Sequence, residues 1–366
     1  MGAQHSGWHP QPQQVPLMTP HPHPRSATRR TAVIQCFVAL LAQPGFGLAS
    51  TATAPAAPAA APAWNPDKPI RLIVPWAPGG AVDGTSRALA NGLGARLRQP
   101  VIVENKPGAS GMVGAGYAAA SPADGYTFFM GNVDTQVVNP LLFAKTLRYD
   151  AANAFDPVIE LGRVPMAVVE RAGVNVRNAQ DLQRLARDKP GSASYGTWGI
   201  GSTAHLAFAL LEQQSGVDLN HLPYQGATPA YAALLGGHIE FALAQVPWAL
   251  AAQRDGKVQI LGVTSAQRST LDPSLPTLAE LGFKDYAVEQ WVGLFAPRGV
   301  PADLRERLGR EVNAWLKTPE AQTALRAAGV EPGGGTPEQL ASRQKAESVF
   351  WQRLIRARNI TVENLQ

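Results

Sequence analysis

The sequence has few of the residues that carry redox and metal chemistry. Its 366 residues include one cysteine, Cys36, and seven histidines. Cys36 lies in the N-terminal segment that we predict to be removed, so the rest of the chain has no thiol for catalysis or disulfide formation, which suits an oxidising compartment. His205, His221 and His238 are the histidines beyond the leader. No His-Glu-x-x-His spacing occurs, so we expect neither a metal site nor a cofactor.

Charge of one sign and long apolar runs are also scarce. The formal net charge is +5, and three of the positive charges are N-terminal arginines in a region without acidic residues. The remaining chain is close to neutral and has no Lys/Arg run of the kind that follows nucleic acid, so we expect no nucleic-acid partner. The apolar run TAVIQCFVALLA is shorter than the roughly 20 residues that span a bilayer.

Familiar catalytic motifs are missing as well. The phosphate-binding pattern G-x-x-x-x-G-K-[ST] is absent, and no G-x-G-x-x-G opens the first predicted helix. The segment SASYG resembles a nucleophile elbow, but Ser192 replaces its first glycine. We therefore predict that the protein is not an enzyme.

Residues 1–49 have the layout of a leader and a signal peptide. Arg29 and Arg30 precede the apolar run, and the small residues GFGLAS follow it, with a predicted cleavage site near Ala49. Met18 would give a signal of more usual length and is the expected true start. The paired arginines leave twin-arginine export open as an alternative route. Residues 50–64, rich in Ala and Pro, are a predicted tether.

From Asp67 onward, short β-like runs alternate with amphipathic helical stretches. IRLIVP, PVIVEN and YTFFMGN read as strands, and each is followed by a helical pattern. This alternation predicts an α/β fold with mainly parallel sheets and flanking helices. In such sheets, ligands bind where strands end and loops enter helices.

Five loops rich in Gly, Ser, Thr and Asn follow the predicted strands. We number them loop 1 (residues 76–83), loop 2 (107–111), loop 3 (131–135), loop 4 (195–203) and loop 5 (223–228). Each one could be ordinary turn and cap chemistry. Five of them in one α/β chain favour a shared cleft.

Loop 1 has the features of an anion site. Gly79 and Gly80 allow backbone N–H groups to converge, and the following helix adds free amides and the positive end of its dipole. A carboxylate or phosphate would fit, although an ordinary tight turn remains the alternative. Asp83 is the predicted N-cap, so an anion would meet the backbone rather than this side chain.

Three larger side chains near these loops have two interpretations each. His205 could donate a hydrogen bond to a bound carboxylate, or it could be satisfied by packing and by the local backbone. Trp76 and Trp198 flank loops 1 and 4 and could line an apolar part of a ligand, or they could simply pack.

The loops and their flanking segments together resemble one family, the periplasmic solute-binding proteins of tripartite tricarboxylate transporters, also called the Bordetella uptake gene (Bug) family. The resemblance covers about residues 67–366. The segments that carry it are KPIRLIVPWAPGGAVDGTSRALA, LRQPVIVENKPGASGMVGA, ADGYTFFMGNVDTQVVNPLLF, GSASYGTWGIGSTAHLAFALLEQQSG, HLPYQGATPAYAALLGGHIEFAL, VQILGVTSAQRSTLDPSLPTLAELGF, WVGLFAPRGVP and GTPEQL.

This resemblance implies a two-domain periplasmic binding protein of type II, the Venus-flytrap fold. Domain 1 would comprise residues 65–165 plus 289–366, and domain 2 residues 166–288. A small carboxylate would bind in the interdomain cleft and be delivered to the large and small membrane subunits of a tripartite transporter. The alternative is an orphan carboxylate receptor that feeds the sensor kinase of a two-component system. Either way we expect a monomer in the periplasm.

The resemblance also implies a set of ligand-binding residues, contributed by all five loops. They include backbone groups, hydroxyls and amides, with no catalytic residue and no metal ligand. The set is Trp76, Ala77, Pro78, Gly79, Gly80, Asp83, Ser110, Gly111, Asn132, Thr135, Tyr195, Gly196, Thr197, Ser202, Thr203, His205, Tyr224, Gln225 and Gly226.

The chain departs from the family pattern at four places. Trp76 stands where Phe is frequent, Ala81 where Gly is usual, Gln225 where Lys is usual, and Ala244 where an Asp that suits amino-group ligands is frequent. The absence of that Asp makes an amino-acid ligand less expected, and Trp76 together with Trp198 favours a bulkier or aromatic carboxylate.

Overall fold

The structure, a computed structural model, describes residues 65–188 and 193–361. The predicted leader, signal peptide and tether lie outside these residues. The strands are β1 (Ile70–Val74), β2 (Val101–Asn105), β3 (Thr127–Asn132), β4 (Phe155–Val164), β5 (Met166–Arg171), β6 (Ser194–Thr197), β7 (Asn220–Pro223), β8 (Phe241–Gln245), β9 (Val258–Val263), β10 (Gln290–Pro297) and β11 (Glu331–Pro332).

Helices follow or flank these strands. They are α1 (Ala81–Leu97), α2 (Met112–Ala119), α3 (Asn139–Leu142), α4 (Ala179–Asp188), α5 (Thr203–Ser215), α6 (Ala227–Leu235), α7 (Val246–Arg254), α8 (Ala302–Leu316), α9 (Pro319–Ala327) and α10 (Pro337–Ala357). A short 3₁₀ turn covers Ala109–Gly111, and a π-helical segment covers Asp134–Val138.

The first sheet contains six strands in the order β11-β4-β10-β3-β1-β2. β1 pairs in parallel with β2 and β3, while β10 runs antiparallel to β3 and β4. β3 is buried along its whole length and β1 along nearly all of it. Strands covered by helices on both faces require such continuous apolar runs.

The second sheet contains five strands in the order β7-β6-β8-β5-β9. β6 pairs in parallel with β7 and β8, while β5 runs antiparallel to β8 and β9. The predicted α/β class with helices flanking the sheets is therefore confirmed. In each sheet four strands share one direction, and the reversed strands are β10 and β11 in the first sheet and β5 in the second.

The hydrophobic core is divided into two clusters. The larger one runs through the first sheet and continues to α5, where Leu206 and Phe208 are buried. The smaller one lies between β5, β8 and β9 of the second sheet and helices α6 and α7. No helix of the described residues is both long and apolar enough to span a bilayer.

Two neighbouring chain segments connect the sheets. The chain leaves the first sheet at Pro165, between β4 and β5, and returns between β9 and β10. Thr264 holds the two passages together: its N–H donates to the Met166 carbonyl at 2.9 Å, and its Oγ1 donates to the Val288 carbonyl at 2.8 Å. The sheets are thus joined by two adjacent segments of the chain.

Candidate functional site

Helix α1 begins earlier than the sequence pattern predicted. Its N-cap is Gly80, and Asp83, the predicted N-cap, is the third residue of the helix. The prediction was wrong because Gly80 has no side chain with which to cap, so Asp83 was the first capping residue that the pattern offered. The Asp83 carboxylate instead turns back and accepts a hydrogen bond from the N–H of Gly79 at 2.9 Å. Gly79 has a φ of 98°, which glycine adopts without strain.

The Asp83 carboxylate also fixes loop 1 to the end of β2. Asn105 Nδ2 donates to it at 2.9 Å and Arg87 Nε at 3.0 Å. Burial would raise the pKa of Asp83, but these hydrogen bonds and that of Gly79 outweigh it and hold the pKa below its usual value. The carboxylate is therefore ionised and fully used within the protein. That a bound anion would meet backbone amides here stays a prediction.

Trp76 lies against loop 2. Its carbonyl accepts a hydrogen bond from Asn105 Nδ2 at 3.0 Å. Its indole Nε1 is buried and has no hydrogen-bond partner among the described residues. A buried donor without a partner costs free energy, so this N–H is an unsatisfied donor of the described structure. Ala77, Pro78, Gly79 and Gly80 are exposed.

Loop 2 has an unusual backbone. Ala109 and Ser110 have φ values of 47° and 51°, a left-handed region that residues other than glycine seldom adopt. Gly111 follows at φ 84°, and a Cβ on it would lie 2.6 Å from Cγ2 of Thr135 and 3.4 Å from Cζ2 of Trp76. Only glycine therefore lets loops 1, 2 and 3 approach this closely. Asn139 Nδ2 donates to the Ser110 carbonyl at 2.8 Å and fixes the loop.

Asn132 and Thr135 hold loop 3 in shape. The Thr135 N–H donates to Asn132 Oδ1 at 3.2 Å, and the Asn132 N–H donates to Thr135 Oγ1 at 3.0 Å. Both side chains are buried. The structure therefore places these two predicted residues as supports of the loop.

Asp134, between them, connects the first sheet to α5. Its Oδ1 accepts hydrogen bonds from the N–H and the Oγ1 of Thr203, at 2.6 and 2.7 Å. Its Oδ2 accepts from Asn132 Nδ2 at 3.1 Å and from Gln290 Nε2 at 3.3 Å. Only 2% of Asp134 is exposed, and burial raises the pKa of its carboxyl group. No local sequence pattern indicates this role, because Thr203 is 69 residues away.

Loop 4 ends in a capped helix. Ser202 is the N-cap of α5, and its Oγ accepts a hydrogen bond from the N–H of His205. Loop 4 also approaches loop 2, since a Cβ on Gly199 would lie 3.4 Å from Oγ of Ser110. Loops from both sheets thus meet at one junction.

His205 belongs to a buried pair of stacked histidines. Its ring lies parallel to that of His221, with centroids 4.1 Å apart. Burial lowers the pKa of His205 to about 4, so its ring is neutral at pH 7. Its Nδ1 accepts a hydrogen bond from the Gly201 N–H at 3.2 Å. The local backbone thus satisfies Nδ1, and Nε2 carries the proton and is the donor of the neutral ring.

The strand residues of loop 4 pack against the histidine pair. Tyr195 stacks on Phe208 and His221, with centroids 4.2 and 4.9 Å apart. Thr197 Oγ1 is hydrogen-bonded to Nε2 of His221 at 2.8 Å. A Cβ on Gly196 would lie 2.4 Å from Cδ1 of Ile239. These predicted residues position the histidine pair.

Loop 5 is joined to loop 4 through the backbone. The Tyr224 N–H donates to the Thr197 carbonyl at 3.0 Å. Gly226, at φ 118°, is the N-cap of α6, and Gln225 is exposed. Contacts therefore connect all five loops, although their role in ligand binding stays a prediction.

A cavity of about 570 Å³ opens beside loop 1. Residues around the start of α1 line one side, the start of α7 lines a second and the end of α9 a third. Of the predicted site residues, Gly79 and Gly80 line the cavity. Its other walls come from distant parts of the chain, and the sequence did not indicate them. The lining residues are Gly79, Gly80, Ala81, Gly84, Ala88, Gln245, Pro247, Ala324, Ala327, Ala328 and Gly329.

The structure has two sheets with flanking helices, two adjacent chain segments that connect them, and a junction where loops of both sheets meet. This is the fold of two-domain periplasmic binding proteins. The model of the tripartite tricarboxylate transporter family receptors matches residues 85–360. The chain belongs to this family of periplasmic solute-binding proteins.

Individual relatives agree with this assignment. Protein BugT of Bordetella pertussis is 32% identical over 90% of this chain and 97% of its own length. The structure of Rpa4515 of R. palustris with adipate is 33% identical, with a TM-score of 0.75 over 81% of this chain and 99% of that one. MatC of Rhodopseudomonas palustris with bound malate is 28% identical, with a TM-score of 0.71 over 79% and 99% of the two chains.

Proposed function

We propose that the protein is a non-catalytic receptor that captures a small carboxylate between its two sheets and delivers it to a tripartite tricarboxylate-type membrane transporter. The observation that carries the proposal is the cavity of about 570 Å³. It lies where Gly79 and Gly80 of loop 1 face Gln245, the last residue of the second sheet's β8, and Pro247 at the start of α7. Relatives solved with adipate and malate support a carboxylate as the ligand.

The two sheets are the centres of the two proposed domains. Domain 1 comprises residues 65–165 plus 289–366, and domain 2 comprises residues 166–288. The adjacent passages at Pro165 and Val288 support a hinge between them. In this proposal the ligand contacts both domains and shifts the population toward the closed form, which the transporter recognises.

The donors around the junction suit binding rather than conversion. Loop 1 offers backbone amides, Trp76 an unpaired indole N–H, and His205 a neutral ring whose pKa is too low for a general base at pH 7. The proposed location is the periplasm, reached through cleavage near Ala49.

Native mass spectrometry of the protein purified from the periplasm tests the proposal directly. A co-purified mass that corresponds to a carboxylic acid is expected, and adding that acid should raise the unfolding temperature by mass action. Absence of stabilisation by any acid in a broad carboxylate panel would contradict it. A partner pull-down that recovers a sensor kinase instead of transporter subunits would favour the signalling alternative.

Substitution of Ser110 tests the position of the site. Ser110→Asp should lower carboxylate affinity by at least about tenfold, because the new charge would face the anion. Ser110→Asn is a matched control of the same shape without the charge. Asp and Asn both tolerate the left-handed backbone at this position, so neither should unfold the loop. Equal affinities of the two variants, measured by isothermal titration calorimetry, would place the ligand elsewhere.

A further inference from the structure

The protein's own Asp134 occupies the start of α5, where an acidic ligand would otherwise find amide donors. Of the first amides of this helix, that of Thr203 donates to Asp134 Oδ1 at 2.6 Å and that of His205 donates to the Ser202 side chain. The Thr203 hydroxyl also donates to Asp134. A ligand carboxylate at this helix end would have to displace Asp134 from these donors.

This occupancy holds in either protonation state of Asp134. Burial raises the pKa of the group, yet the hydrogen bonds of Thr203 end on Oδ1 whether Oδ2 carries a proton or not. When Asp134 is ionised, repulsion between like charges adds to the loss of donors.

Asp134 is close to the predicted ligand contacts of the first sheet. Its neighbour Thr135 approaches Gly111, and Gly111 approaches the indole of Trp76 in loop 1. Loop 1 in turn lines the cavity through Gly79 and Gly80. A chain of contacts therefore runs from loop 1 through Gly111 and Thr135 to Asp134 and the start of α5.

The cavity offers nothing to balance a second negative charge. Its lining consists of glycine, alanine, one proline and one glutamine, all uncharged. Free amides at loop 1 can hold one carboxylate, but a second carboxylate that finds neither a cation nor further donors is strongly disfavoured. The alanines of α9 and of α1 suit an apolar group instead.

We propose that the ligand carries a single carboxylate on an apolar or neutral body, and that Asp134 is the residue that excludes a second carboxylate. This inference rests on the proposed function, because it presumes a carboxylate ligand at the junction. The substrate class would then differ from that of the two relatives solved with adipate and malate, which are both dicarboxylates.

Matched pairs of acids test the inference by isothermal titration calorimetry on the mature protein. The pairs are hexanoate with adipate and benzoate with terephthalate, which differ by one carboxylate on the same skeleton. We expect the wild type to bind the preferred monoanion at least about tenfold more tightly than its dianion. Asp134→Ser, which empties the start of α5, should raise dianion affinity about tenfold and change monoanion affinity by less than about threefold.

Two further variants complete the experiment. Asp134→Asn keeps the shape of the side chain and removes its charge, so it should give a smaller gain in dianion affinity. It replaces the serine variant in the test if that variant proves unstable. Asp255→Asn removes the same charge at an exposed position beside Lys257 and should leave both affinities unchanged. Thermal unfolding of each variant verifies that it is folded.

The outcomes separate the inference from the function on which it rests. The role of Asp134 is overturned if the wild-type protein binds a dianion as tightly as the matching monoanion. It is also overturned if neither Asp134 variant changes the preference for the monoanion. In both cases the receptor function stands. A complete lack of binding of all four acids and of a wider carboxylate panel overturns the receptor function itself.

Discussion

At the scale of single residues, the buried histidine pair makes the junction sensitive to pH. Burial lowers the pKa of His205 to about 4, and burial together with the neighbouring ring of His205 lowers that of His221 to about 3. Both rings are neutral at pH 7 in the folded protein, whereas in the unfolded chain they gain protons near the ordinary pKa of about 6.5. The stabilisation that comes from keeping them neutral is thus present above pH 6.5 and lost as the pH falls toward 4.

Replacement of His205 by asparagine should reduce this pH dependence. Asn Oδ1 can still accept the hydrogen bond of the Gly201 N–H, but the side chain does not titrate. Between pH 7 and pH 5 we expect the wild type to lose about 2 kcal/mol more of its free energy of unfolding than His205→Asn does. Urea unfolding at the two pH values measures the difference.

The comparison between the wild type and His205→Asn isolates the contribution of His205 to the pH dependence of stability. Glu170 acts in the opposite direction, because burial raises its pKa to about 7 and its contribution to stability is lost as the pH rises from 4.5 toward 7. It is present in both proteins and cancels. Equal pH slopes for wild type and variant would mean that His205 is not held neutral by the fold.

At the scale of elements, α10 contacts both β4, which precedes the first connection between the sheets, and Glu289, which ends the second. Arg343 on this helix binds Glu160 of β4 at 3.3 Å and Glu289, just before β10, at 2.5 Å. It also binds Glu347, which accepts a hydrogen bond from Trp291 Nε1 at 2.9 Å. One mostly buried guanidinium therefore serves three carboxylates.

Removal of this guanidinium should be costly. Arg343→Met leaves three partly buried carboxylates without their common partner, and we expect a loss of about 3 kcal/mol in the free energy of unfolding. Arg343→Lys retains the charge but lacks the fork that reaches several carboxylates, so its loss should be smaller. Urea denaturation at pH 7 ranks the variants. A methionine variant as stable as the wild type would show that the network contributes no net stability.

Elements defined by local signals were predictable from the sequence, and those defined by distant pairing were not. The strands β1 and β3 were predicted from their apolar runs. The start of α1 was misplaced because Gly80 gives no side-chain signal. The walls at Gln245 and Ala328 meet the start of α1 only in the folded chain, so no local pattern could indicate them.

At the scale of the whole molecule, the proposed function requires the two sheets to separate and approach each other. Ser110 and Gly199 lie on loops of different sheets, and a Cβ on Gly199 would be 3.4 Å from Oγ of Ser110. A serine Cβ–Oγ bond is about 1.4 Å long, so the two Cβ atoms lie at most about 4.8 Å apart, near the roughly 3.5–4.5 Å that a disulfide spans. The sequence has one native cysteine, Cys36, which lies before the predicted cleavage site.

A cysteine pair at these positions should lock the junction. In Ser110→Cys/Gly199→Cys, with Cys36→Ser where the full chain is used, oxidation should form the disulfide, although the φ of 141° at Gly199 will strain it. We expect the oxidised protein to take up and release the carboxylate at least about tenfold more slowly, because ligand exchange needs an open cleft. Stopped-flow fluorescence before and after reduction measures both rates, with each single-cysteine variant as a control. Exchange that is equally fast in the oxidised, reduced and control proteins would show that the ligand enters without separation of the two sheets.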